Sequence, residues 1–271
     1  NHLDHEVNDA APVFGKLGKT RPLSAMRKAA CESPSDISAK KLMLIEFCAS
    51  GESKACDKRY WKSGSAFLRL TEKLDMRLRK NLNYAIQEVR KNSRDYHIVL
   101  HGSLPCTWGS PWQEVNLVRH PDSQGPKMDE HFSQFKSLFR NFRTLARVVL
   151  KLGGDIVFEW PAYNKLWTQP LVVRMINEFN LQRVVFHGCQ LGLMSVRNGR
   201  PIKKPWAFET TIPEIVSAFE PLKCKGDHIH QACEGPDTNI SGSYTWQMTD
   251  KMHKCFHERI HNLNVGNVDV A

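Results

Sequence analysis

The chain has 271 residues, 41% of them hydrophobic, and its 38 Lys and Arg outnumber 28 Asp and Glu to give a formal net charge of +10. That length can bury a substantial core and suits one large α/β domain better than two small ones. No apolar stretch approaches the length of a membrane span and no charged-then-apolar leader opens the chain, so an intracellular, nuclear or cytoplasmic, protein without a membrane anchor is expected.

Residues 1 to 40 are polar, carry Pro12, Pro22 and Pro34 and show no sustained period, which predicts an arm or linker. The first residue is Asn, as expected of a piece of a longer polypeptide. Residues 41–271 read as one α/β domain. Leu42 to Cys48 is a first strand, Ala66 to Glu72 a second, Met76 to about Lys91 a basic amphipathic helix, and His97 to His101 a third strand. Met128 to Lys151 spaces Phe132, Phe135, Phe139, Phe142, Leu145 and Val149 three or four apart, a helical stripe whose phenylalanines belong to the core. Asp155 to Pro161 follows the Gly153-Gly154 break as a strand. Later strands are expected at Arg183 to His187 and Trp206 to Thr210, with helices near Gln169 to Phe179, Pro213 to Phe219 and Thr249 to Leu263. The alternation predicts a Rossmann-like, doubly wound, mostly parallel sheet with helices on both faces.

In such a sheet the carboxyl ends of the strands open on a crevice lined by loops. The third strand breaks there into Gly102-Ser103-Leu104-Pro105-Cys106-Thr107-Trp108-Gly109-Ser110, which places a thiol where it can attack a bound ligand. A small buried hydrophobe is the competing role for Cys106. Glu159, at the tip of the next strand, reaches the same edge if the two strands are parallel neighbours. The turn from Glu46 to Ser53 stands where a nucleotide-like ligand places its charged tail, and Glu72 or Asp75, after the second strand, where ribose hydroxyls are gripped. A Cys/His hydrolase with His97, His101 or His187 as base for Cys106 is a further reading of the same residues.

These residues resemble the cytosine C5 methyltransferases. The family's catalytic loop, Pro-Cys-x-x-x-Ser, stands here as Pro105-Cys106-Thr107-Trp108-Gly109-Ser110, and its Glu-Asn-Val as Glu159-Trp160-Pro161, with the Glu kept and the Asn-Val replaced. Glu46-Phe47-Cys48-Ala49-Ser50-Gly51 looks like a glycine-poor version of its Asp-Leu-Phe-Ala-Gly cofactor turn. Gly102 to Cys106, Cys189 to Leu193 and Pro201 to Pro205 also resemble segments of retroelement polyproteins. The likeness covers about residues 40 to 235. It implies catalytic roles for Cys106, Glu159 and Ser110, and S-adenosylmethionine held by Glu46, Cys48, Ser50, Glu72, Asp75 and Ser103. It also implies a cytosine in DNA or RNA as substrate. The extra strand and acid that the family inserts before the catalytic loop have no room here. The inactive alternative is a methyltransferase-fold module of a retroelement or virus that binds nucleic acid without turnover, joined to other parts of a polyprotein.

The basic balance points to a polyanionic partner, and seven Trp suit base stacking. Trp108 and Trp112 beside the thiol, and Lys203 and Lys204 before the last strand, are the nucleic-acid candidates, with solvated lysines as the competing role of the pair. Eight scattered cysteines read as reduced thiols. Within the C-terminal segment of about 220–271, Cys224, His228, His230 and Cys233 suit a closed, structural zinc site, with Cys189 competing to be the fourth ligand.

Overall fold

The computed structural model describes residues 39–266, so the arm read over residues 1–40 lies almost wholly outside the described residues. Six strands form one sheet: β1 (Lys41–Ala49), β2 (Ala66–Thr71), β3 (Tyr96–Gly102), β4 (Asp155–Pro161), β5 (Gln182–His187) and β6 (Pro205–Thr210). Their order is β2-β1-β3-β4-β6-β5. The pairs β1–β2, β1–β3 and β3–β4 are parallel, whereas β6 runs antiparallel between β4 and β5. The helices are α1 (Arg79–Asn92), α2 (Pro111–Arg119), α3 (Pro121–Lys151), α4 (Pro170–Phe179), α5 (Pro213–Phe219), α6 (Pro236–Ile240) and α7 (Trp246–Gly266).

Strand alternation sends Met43, Ile45 and Phe47 of β1 to one face and Leu42 and Leu44 to the other, so both faces demand cover. On the first face lie Leu82, Ala85 and Val89 of α1, the phenylalanine stripe of α3, and Val172, Met175 and Phe179 of α4. The second face is covered by Ile215 and Phe219 of α5 and by Met248, Met252, Phe256 and Ile260 of α7. The expected three-layer α/β architecture is therefore present.

The predicted elements hold with shifted ends, and two helices, α2 and the short α6, were missed. Pro111 and Pro121 each open a helix, a position where the missing proline N–H is harmless, so the stretch between Ser110 and Met128, given no element from the sequence, is α2 followed by the start of α3. Pro126 lies inside α3, close enough to its start that a single ladder bond is lost.

Strand order sets where a ligand belongs. The chain moves outward from β1 to β2 and then returns to the other side of β1 for β3, so the topological switch falls between β1 and β3. The Glu46 to Ser53 turn and the Ser103 to Cys106 loop flank that point. Because β6 is antiparallel, its start, Lys204-Pro205, arrives at the same edge as the ends of β4 and β5.

Candidate active site

The loop that carries Cys106 is tied to the end of β4. Trp160 Nε1 donates to the Leu104 carbonyl at 2.8 Å, and Asn164 Nδ2 donates to the Cys106 carbonyl at 2.8 Å. Asn164 Oδ1 in turn caps the 3-10 turn Lys165–Thr168 through the Leu166 amide at 2.9 Å. A Cβ on Gly109 would stand 1.9 Å from Asn164 Oδ1, so only glycine permits this close approach. Ser110 caps the Thr107–Gly109 turn and precedes α2, making no side-chain cap bond to it.

Glu159 is buried, and its Oε2 accepts hydrogen bonds from Ser103 Oγ at 3.1 Å and from Tyr244 OH at 3.0 Å. Tyr244 OH also lies 3.2 Å from His101 Nε2. A hydroxyl has one proton; if it goes to the carboxylate, His101 must donate from Nε2, leaving its buried Nδ1 as an acceptor without a partner among the described residues. Burial, helped by the neighbouring His253, pushes the His101 pKa down to about 3, so the ring is neutral. Burial raises the Glu159 pKa against the opposing influence of Lys204 and its two hydrogen bonds. Burial likewise raises the Cys106 pKa, and the Glu159 charge adds to this while Lys204 opposes it. Desolvation and a facing carboxylate thus outweigh one lysine, and the basic surroundings do not ionise the thiol.

At the neighbouring turn, Glu46 is buried and its Oε1 accepts from Ser53 Oγ at 2.6 Å, while Oε2 has no partner among the described residues. Burial raises its pKa. Arg69 pairs in register with Glu46 and donates to the carbonyls of Gly51, Ser53 and Cys56 at 3.0, 2.9 and 2.6 Å, clamping the turn. Cys48 sits in the left-handed region at φ 61°, where β1 changes register against β2. Its pKa is pushed up to about 12 by burial and then by the charge of Asp75, which lies near it. Ser50 and Glu72 are exposed at this edge, and Asp75 is bound by Arg77 through its amide and Nε, both at 2.9 Å. Ser103, expected at the cofactor, spends its hydroxyl on Glu159.

The nucleic-acid candidates separate. Trp108 is half-buried and stacks on Phe132 with ring centroids 4.5 Å apart, so it is held as core, whereas Trp112 on α2 is exposed. Lys204 turns toward the crevice, where its charge acts on Cys106 and Glu159, and its Nζ donates to the Ser241 carbonyl. Lys203 is exposed on the other side, near His187 and His230.

The proposed hydrolase bases are engaged elsewhere. His97 lies at the amino end of β3, 2.9 Å from Asp155 and at the opposite edge from Cys106, and His187 Nδ1 accepts from the Cys224 amide at 2.8 Å. Sequence reasoning missed Tyr244, Asn164 and Arg69, and named Ser53 only as the end of the Glu46 turn. Arg69 left a signal, a cation inside the apolar run Ala66 to Leu70 that needs a buried acid beside it; Tyr244, in a Gly/Ser-rich stretch, left none.

Comparison of the chain with protein-family models, with curated proteins and with solved structures finds no match.

Proposed function

We propose that residues 41–271 form a methyltransferase-like domain that transfers a methyl group from S-adenosylmethionine to cytosine in nucleic acid, with Cys106 as covalent nucleophile. The observation that carries the reading is the pairing of Cys106 with Glu159 at the carboxyl ends of the adjacent parallel strands β3 and β4. The site lies beside the topological switch point.

Cytosine carbon 5 is a weak nucleophile until a thiolate adds at carbon 6. Glu159, whose burial favours its protonated form, is suited to donate to ring N3 as Cys106 adds; loss of the carboxylate charge also lowers the barrier to ionising the thiol. Carbon 5 then takes the methyl group, its proton leaves to a base, and the thiolate is expelled as the carbon 5–carbon 6 double bond returns. The donor, when bound, supplies an electrophilic methyl group on a sulfonium. The residues present fit it at Glu46, whose buried, unpartnered Oε2 suits the cationic amino-acid end, with Cys48 and Asp75 beside the same turn. Exposed Trp112 and the basic balance would serve a nucleic acid, DNA or RNA, whose target base must be swung out of any duplex. The seven described cysteines are all free, in keeping with an intracellular site of action, nuclear or cytoplasmic, and no described helix is long and apolar enough to cross a membrane.

Arg69's clamp on the Glu46 turn favours a second reading, a retroelement or viral module that binds nucleic acid without turnover. One experiment separates the two. An oligonucleotide bearing 5-fluorocytosine should trap the full chain as an adduct that needs S-adenosylmethionine, survives denaturing electrophoresis and is absent in Cys106→Ser. Binding of nucleic acid and donor without any adduct would leave Cys106 a structural thiol and the module reading in place.

A further inference from the structure

Between the end of α5 at Phe219 and the start of α7 at Trp246 the chain has no regular element but the five-residue α6. Irregular stretches of that length are uncommon inside a folded domain and need some other means of being held. In this one Cys224, His228 and His230 come together with Cys189, from the turn that follows β5, so that one ligand atom of each lies within 4.8 Å of the others. Cys224 Sγ is 3.3 Å from His230 Nε2 and 3.8 Å from His228 Nε2. With zinc–sulfur bonds of about 2.3 Å and zinc–nitrogen bonds of about 2.0–2.1 Å, the sulfur–nitrogen edge of a tetrahedron is roughly 3.6 Å. The two observed edges straddle it.

The surroundings are those of ligands already oriented. His228 Nδ1 lies 2.8 Å from Asp227 Oδ1, which leaves Nε2 free to face a metal. The Gly226 amide donates to Cys224 Sγ at 3.3 Å, in a turn whose φ of 79° at Gly226 admits a side chain only with strain. Cys233 is not part of the group: its sulfur lies 3.1 Å from Ser241 Oγ and 3.8 Å from the Asp237 carbonyl.

We infer that Cys189, Cys224, His228 and His230 hold one structural zinc ion that fastens the segment after α5 to the carboxyl end of β5. Four protein ligands close the tetrahedron and leave no position for substrate. The fastened segment leads to Ser241, which accepts from Lys204, and to Tyr244, which donates to Glu159, so the ion steadies the rear wall of the crevice. The inference stands apart from the methyl-transfer proposal, since none of its readouts involves donor, base or adduct.

Elemental analysis of the full chain purified without chelator should give about one zinc per chain, and chelation should lower its melting temperature. Cobalt(II) exchanged into the wild type should show the intense visible bands of a tetrahedral thiolate–imidazole site, a readout that does not depend on any variant folding. Cys233→Ser should keep the metal and Cys189→Ser should lose it. Zinc-free protein with melting unchanged by chelator would overturn the inference, as would a Cys189–Cys224 disulfide in mass spectra or metal retained in full by Cys189→Ser.

Discussion

At the residue scale the chemistry rests on Glu159 and the two donors that meet its Oε2. Tyr244→Phe keeps the ring and removes one donor from a buried carboxyl group, so stability should fall by about 1–3 kcal/mol in urea denaturation. The same change removes an influence that lowers the Glu159 pKa, so any pH profile of adduct formation should move to higher pH. A profile that stays in place while stability falls would make Tyr244 purely a packing residue. Glu159→Gln should slow trapping and leave nucleic-acid affinity intact, as measured by filter binding, because phosphate contacts supply that affinity separately. The Gln also removes the charge that raises the Cys106 pKa, so thiol alkylation by iodoacetamide should begin at lower pH in this variant.

At the scale of elements, the site is a seam between the turns that follow β3 and β4. Asn164 serves both sides, capping one 3-10 turn and holding the Cys106 carbonyl of the other, and Gly109 leaves the gap that it enters. Gly109→Ala should therefore cost about 1–3 kcal/mol by overpacking and displace the thiol loop. Its signature would be a lowered melting temperature together with loss of the adduct, whereas Gly125→Ala, on α3 where a Cβ meets nothing within 4 Å, should keep the adduct and raise the melting temperature slightly. The polar row across the sheet has the same origin in register. Arg69, Glu46 and His101 are paired neighbours on β2, β1 and β3, and Glu159 follows Val157, the partner of His101, by two residues on β4. All point to the α7 side, where Tyr244 meets His101 and Glu159.

For the molecule as a whole, burial governs the response to pH. The His101 and His253 pKa values are pushed down to about 3 and about 4, chiefly by desolvation, from the ordinary value near 6.5. The unfolded chain takes up these protons below pH 6.5 and the folded chain does not, so stability falls as the pH drops toward the folded values. Each histidine contributes up to about 1.4 kcal/mol per pH unit in that window. Urea midpoints measured between pH 7 and 4.5 should fall, and His253→Gln should flatten the slope; an unchanged slope in the variant would show that the His253 ring is not excluded from water. Below about pH 4 a second loss belongs to Asp155. Burial raises its pKa, yet hydrogen bonds from His97 and Arg259 outweigh that and hold it low, so its stabilisation is present above the unfolded value and disappears as the folded carboxylate takes a proton.

Local pattern alone determined the strands, the phenylalanine stripe of α3 and the break after His101, because apolar periodicity and Gly/Pro punctuation are carried by neighbours in the chain. It also marked Glu159 near the end of its strand, Cys106 in the loop beyond the third strand, and Glu46 as an acid in the first strand. Only the tertiary structure decided that β6 enters antiparallel, which brings Lys204 to the carboxyl edge, and that Tyr244 reaches Glu159 across 85 positions of sequence. It decided as well that Cys189 rather than Cys233 completes the Cys/His group, and that Trp108 is held against Phe132. Such outcomes depend on which surfaces the packed layers bury and on contacts between residues far apart in the chain, and burial set the protonation of Cys106 against its basic surroundings.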